Sequence, residues 1–253
     1  MSPLYDSHCH LDAAEFDADR PAVLARARDA GVARQLVPAV DRGSWDAIRT
    51  LCAAEPGLRP AYGLHPMFLD RHRPGHLDEL RDWLAAERPA AVGECGLDFF
   101  VEGLDPDSQR LYFRGQLELA REFDLPVVLH ARRAVEEVIG TLREVGGLRG
   151  VVHSWSGSEE QARQLFGLGF CLGIGGPVTY ERAKRLRRTV ASMPLDFLLL
   201  ETDAPDQPDA DWRGQRNEPA RLRQVLDVVA QLRGQPAAAI AEATSANALR
   251  LFG

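Results

Sequence analysis

Eight short apolar runs, rich in β-branched residues, recur along the chain with longer amphipathic stretches between them. They read "PLYDSHCH", "ARQLVPAV", "LRPAYGLHP", "AAVGECGLD", "LPVVLHAR", "RGVVHSWSG", "GFCLGIGG" and "DFLLLETDAP". Runs of this length bounded by turn residues read as strands. Helical patterning falls between them, for instance over 20–30, 44–54, 107–123, 158–168 and 179–192, and twice more after the last run, over 217–233 and 237–251. Ser44 and Ser158 stand where N-caps belong, and Asn217 with Pro219 makes a further helix opening. Strand–helix alternation demands parallel strands joined by crossovers, and eight such units suit closure into a (β/α)8 TIM barrel. An open doubly wound sheet is the competing arrangement, but no G-x-G-x-x-G follows the first run. No linker, low-complexity tract or fixed-period repeat divides the 253 residues, so one domain over 1–253 is expected.

The formal net charge of −7 gives no whole-molecule attraction to phosphate, so contact with nucleic acid would need a local basic patch. The stretch "ERAKRLRR" at 181–188 is one, and it reads as a solvated helix face. The four cysteines, Cys9, Cys52, Cys95 and Cys171, show no paired spacing. There is no basic segment leading into a long apolar one and no run of 18 apolar residues. A reducing cytoplasm, free thiols, no membrane contact, no obligate protein partner and a monomer are the resulting expectations.

The histidines are not scattered. His8, His10, His65, His130 and His153 stand at or just beyond the C-terminal ends of expected strands, whereas His72 and His76 fall in a polar stretch read as loop. Glu94 in "VGECGLD" and Asp203 in "LLLETDAP" occupy corresponding positions. Active sites of these barrels are built at the C-terminal strand ends, so residues far apart in sequence should converge on one rim. Side chains alternate along a strand, which puts His8 and His10 on one face and Cys9 on the other. The same parity turns Cys95 away from a pocket that Glu94 faces, leaving both cysteines as packing residues. A lone H-x-H, a lone strand-end histidine or a lone "TD" has an ordinary structural explanation. Four histidines and two carboxylates at equivalent positions do not, because burying so many ionisable groups without partners costs several kcal/mol each. A dication removes that cost by accepting carboxylates and neutral imidazoles as ligands.

In order, "DSHCHLD", "GLHP", "GECGLDF", "LPVVLHAR", "VVHSWSGS", "LLLETDAP" and "RGQRNEP" resemble the motifs of the TatD family of metal-dependent hydrolases, from residue 6 to about residue 219, with a family-like "ANALRLF" near the end. The resemblance implies a (β/α)8 barrel carrying one or two divalent ions, and many members are deoxyribonucleases. It implies that His8, His10 and Asp203 bind a first ion, and that Glu94 bridges to a second completed by His130 and His153. His65 would lie beside the site, contacting substrate or water, while Asp98 and Arg132 match positions near the mouth, in support or substrate contact. Trp155 stands where phenylalanine is usual and could restore some stacking surface. The chain departs from the pattern after "ETDAP", where Asp206 and Gln207 replace an aromatic–aliphatic pair. An added acid there would repel a phosphodiester. The wording "APDQP" and "VTY" is closest to a less characterised branch.

A paired-ion site hydrolyses esters by acidifying water and polarising the scissile group. Asp203 is the expected general base. Imidazole-rich ligation favours Zn, Mn or Ni on softness, whereas the family's frequent Mg dependence points the other way. The leading expectation is an ester-bond hydrolase acting on 3′-end phosphodiesters of DNA. A deacylase of aminoacyl-tRNA or a small-molecule esterase or phosphoesterase would use the same site, and a metal-binding scaffold without turnover is the alternative of a different class. Loops around Arg132, Trp155 and Arg213 are the expected phosphate-binding surface.

Overall fold

All eight expected strands form, and each pairs in parallel with the next in sequence. In the computed structural model, which describes residues 3–253, they are β1 (Leu4–Asp6), β2 (Val32–Pro38), β3 (Leu58–Tyr62), β4 (Ala91–Asp98), β5 (Val127–Arg132), β6 (Gly150–Val152), β7 (Phe170–Ile174) and β8 (Leu198–Leu200), neighbours in the sheet following their order in the sequence. The helices are α1 (Arg20–Asp29), α2 (Trp45–Ala54), α3 (His76–Glu87), α4 (Pro106–Glu122), α5 (Val135–Val145), α6 (Glu159–Gly167), α7 (Lys184–Ser192), α8 (Leu222–Arg233) and α9 (Ala237–Phe252). The (β/α)8 expectation holds. Closure between β8 and β1 runs through bonds at and past the strand ends: Ser7 N–H donates to Leu200 O at 2.9 Å, Asp203 N–H to His8 O at 2.9 Å and His10 N–H to Ala204 O at 2.8 Å.

The helical reading needs three adjustments. His76 is not in a loop but opens α3, and α5 is a helix beyond those read from sequence. The α7 pattern starts at Lys184 rather than 179, because Gly176–Thr179 forms a short 3-10 turn. Ser158 does cap α6, with Gln161 reciprocating in a capping box, whereas Ser44 makes no side-chain cap.

Alternation along the strands sorts the apolar side chains into two cores. Tyr5, Leu36, Ala61, Ala91, Val128, Val151, Cys171 and Leu199, one from each strand, form an inner cluster joined by Ala248 and Phe252 of α9. Their neighbours, among them Leu4, Val37, Tyr62, Val92, Leu129, Val152, Leu172 and Leu200, pack outward against the helices. The inner cluster fills one end of the barrel and leaves the other end to polar residues.

Candidate metal centre

Parity carries the donors inward. From Val128 the alternation leads to His130, from Val151 to His153, from Ala61 to His65, and from Leu199 through Glu201 to Asp203. Strand β4 breaks the rule: Ala91 faces in and Val92 out, so Glu94 would be expected to face out. A register shift between Val92 and Cys95 resets the phase. Gly93 sits there at φ +146°, and a Cβ on it would come within 2.7 Å of Val128 O. Only glycine suits that backbone. Glu94 then turns inward, while Cys95 and Cys9 join the outer core.

Glu94 is the hub, only 1% exposed. Its Oε2 lies 3.0 Å from His8 Nε2 and 3.5 Å from His10 Nε2. Its Oε1 lies 2.7 Å from His153 Nε2, 2.9 Å from His65 Nε2 and 3.2 Å from His130 Nδ1. Asp203 Oδ1 joins the first group, 3.5 Å from His8 Nε2 and 3.7 Å from His10 Nε2, which are themselves 3.1 Å apart. Donors bound to one tetrahedral ion at about 2.0–2.1 Å stand about 3.3 Å from each other, which is the spacing seen here. The donor chemistry and spacing fit divalent cation binding around the Glu94 carboxylate.

The charges agree. Burial pulls the imidazoles toward neutrality, and His8 falls to about 4 and His65 is lowered. At His10 and His153 the carboxylates, Glu94 foremost, outweigh burial and lift the pKa to about 9 and about 10. Burial would raise Glu94, but His153, His65 and His8 hold it well below the usual carboxylate range. Protons thus balance the buried carboxylates, and a dication would displace them.

Asp98 is fully buried behind His130 rather than at the mouth. Its Oδ2 accepts from His130 Nε2 at 2.8 Å, and its Oδ1 accepts the Phe100 and Val101 amides at 2.8 and 3.0 Å. The ring is thereby fixed with Nδ1 toward Glu94, an arrangement that strengthens an imidazole as a ligand. Burial opposes ionisation of Asp98, yet His130 and the two amides bring its pKa down to about 2.

Two buried acids escaped the sequence reading. Asp6 ties β1 to β8 by accepting from Thr202 Oγ1 at 2.6 Å and Thr202 N at 3.0 Å, and it aligns His8 through that residue's amide at 3.2 Å. Glu201, 0% exposed, forms with His8 and His153 a further group whose donor atoms lie within 4.8 Å of each other. Gly173 makes room for it, since a Cβ there would overlap its carboxylate. The available signal was parity, because Glu201 is two residues from Asp203.

A sequence model of the family described as TatD related DNase matches residues 5–253. The chain belongs to the TatD family. It is 41% identical to the metal-dependent hydrolase YjjV of Escherichia coli over 98% of this chain and 96% of that one, and 35% identical to the 3′-5′ ssDNA/RNA exonuclease TatD of Erwinia tasmaniensis over 98% and 99%. The crystal structure of YjjV superposes with a TM-score of 0.94 at 39% identity, covering 98% of this chain and 97% of that one. A TatD family hydrolase from Entamoeba histolytica, 19% identical, shares the fold at a TM-score of 0.87 over 100% and 99% of the two chains. The protein is therefore a metal-dependent hydrolase of this family, and no helix among its described residues is long and apolar enough to cross a membrane.

Within this TatD protein the "DQP" departure has a structural consequence. Gln207 Nε2 donates to Asp203 Oδ2 at 2.5 Å, and Gln207 Oε1 accepts from Ser154 Oγ at 2.9 Å. One carboxylate oxygen of Asp203 is held by this bridge while the other faces His8 and His10. Asn217, expected only to open a helix, is buried and binds the same loop through the carbonyls of Thr202 and Asp206, both at 2.8 Å. The donors open into a cavity of about 1030 Å³ whose wall includes Phe68, Arg132, Trp155 and Gln207 but not Arg213. Trp155 is 3% exposed, which leaves little of its ring open for stacking. Arg132 lies at the mouth, its guanidinium 3.6 Å over the ring of Phe100.

Proposed function

We propose that the protein is a divalent-metal-dependent phosphodiesterase that removes nucleotides from the 3′ end of DNA. His8, His10 and Asp203 would hold a first ion, His130 and His153 a second, with Glu94 shared between the two groups. The observation that carries this reading is the division of Glu94 between two donor groups, one around each carboxylate oxygen. A relative named as an exonuclease, 35% identical over nearly the full length of both chains, supports the choice of phosphodiester over other esters. Bound cations would acidify a water and polarise the scissile group.

The chain's own residues do the rest. Asp203 takes the proton from the attacking water, and Gln207 keeps that carboxylate in one orientation by holding Oδ2. Asp98 keeps His130 turned toward Glu94. His65, against Glu94 Oε1 and 5% exposed, excludes bulk water from that side. Glu201 accepts the Ser154 amide at 2.5 Å beside His153, and burial pushes its pKa up to about 8, which favours its neutral form. Four unpaired cysteines suit a reducing cytoplasm, where we place the protein.

The test is metal content first, then turnover. Native protein should carry at least one ion per chain; less than one would overturn every catalytic version. Stripped protein reloaded with single metals should shorten single-stranded and 3′-recessed DNA. Turnover of aminoacyl-tRNA alone would replace the reading with a deacylase, and turnover of no ester would leave a metal-binding scaffold.

A further inference from the structure

The run at 181–188 is not simply a solvated helix face. Arg182, just before α7, and Lys184 and Arg185, at its start, line the same cavity as the donor cluster, together with Arg132 from the end of β5. Arg185 is committed to structure, donating to Ser156 O at 2.6 Å. Among the described residues, Arg132, Arg182 and Lys184 have no carboxylate within ion-pair distance. This is unexpected in a chain with 37 acids and 30 bases, where Arg26, Arg110 and Arg221 pair with Glu218, Glu137 and Asp209. Acids outside the donor cluster occupy another arc of the wall. Asp12 and Glu15 follow β1, and Asp206 follows β8. The cavity is therefore polarised, basic where β5 and β7 end and acidic where β8 and β1 end.

We infer that Arg132, Arg182 and Lys184 form a phosphate-binding track that holds a single strand on the β5–β7 side of the metal centre. Phosphates on the β8–β1 side meet Asp12, Glu15 and Asp206 and are repelled. A polyanion can leave the centre in one direction only, so the cavity accepts the terminus of a strand and rejects its interior. This rests on the phosphodiesterase reading and adds to it the side on which the strand lies and the residues that impose an end. Arg132 stacked on Phe100, itself 43% exposed, also offers an aromatic and cationic surface to an unstacked base.

The test is equilibrium binding of a fluorescein-labelled phosphorothioate decanucleotide to the metal-loaded enzyme, titrated at several salt concentrations. Removing a phosphate contact lowers the slope of log K against log salt by about 0.7 for a single strand. R182A/K184A should reduce that slope by about 1.4 and weaken binding about fivefold per charge removed, taking one close charge pair in water as about 1 kcal/mol. R28A removes a cation from the opposite surface, where Arg28 pairs with Glu55, and should leave the slope unchanged. An unchanged slope in R182A/K184A, or an equal loss in R28A, overturns the track even if DNA is still cleaved. If DNA is bound with the expected slopes but never hydrolysed, the track stands and the phosphodiesterase reading falls. Circular single-stranded DNA tests polarity separately: it should persist while the linear form is degraded, and comparable cleavage of both overturns the one-sided exit.

Discussion

The two ends of this barrel are made by the same eight strands and hold opposite chemistry. At the N-terminal end the inward side chains are apolar, from Tyr5 through Leu199, and Phe252 of α9 covers them with its ring centroid 6.2 Å from that of Tyr5. Two to four residues further along the strands, the same inward positions carry His65, His130, His153, Glu201 and Asp203. The difference teaches where each end's free energy goes. Burial of the apolar end stabilises the fold, at roughly 25 cal/mol per Å² removed from water. The polar end concentrates buried charge that protonated imidazoles balance and that a bound cation would balance in their place.

If that division is real, mutations should separate cleanly. Asp203→Asn, assayed with metal in excess, should lower kcat by about 10²–10⁴-fold, the scale of a lost general base, while thermal unfolding shows little change. Cleavage at the parent rate would remove Asp203 from the chemistry. Leu199→Ala, at the other end, should cost about 2–5 kcal/mol of stability by leaving a cavity, and folded protein should retain its metal and activity. Urea unfolding with parent stability would mean that the inner apolar cluster is not a continuous core.

Finer substitutions sharpen the boundary. Asp98→Asn leaves a similar shape behind His130 but a weaker acceptor, and should reduce metal affinity about 10–100-fold in chelator competition. Unchanged affinity would reduce Asp98 to a loop anchor for Phe100 and Val101. Gln207→Leu removes one hydrogen bond to Asp203, about 1 kcal/mol, so kcat should fall by several-fold with KM nearly constant. An effect on KM alone would place Gln207 in substrate binding instead.

Much of this could be read without coordinates. Strand–helix alternation led directly to the barrel, and position at the C-terminal strand ends led to His130, His153 and Asp203, because where a strand ends is a local property; parity was read only at β1 and β4. It also separated Cys9 from His8 and His10, although β1 itself ends at Asp6. Helices α3 and α5 were not among those read from the pattern, and the basic stretch at α7 looked like any solvated face.

What only the tertiary structure decided depends on contacts between distant segments. Glu94 points inward because the chain slips phase at Gly93, where Val128 of the neighbouring strand leaves no room for a side chain. Asp6 matters because Thr202 lies across the barrel closure, and Gln207 because Ser154 and Asp203 meet on either side of it. The order of residue types determined which groups stand at the strand ends. Closure of the barrel determined which of them share a cation, and which arc of the mouth repels a phosphate.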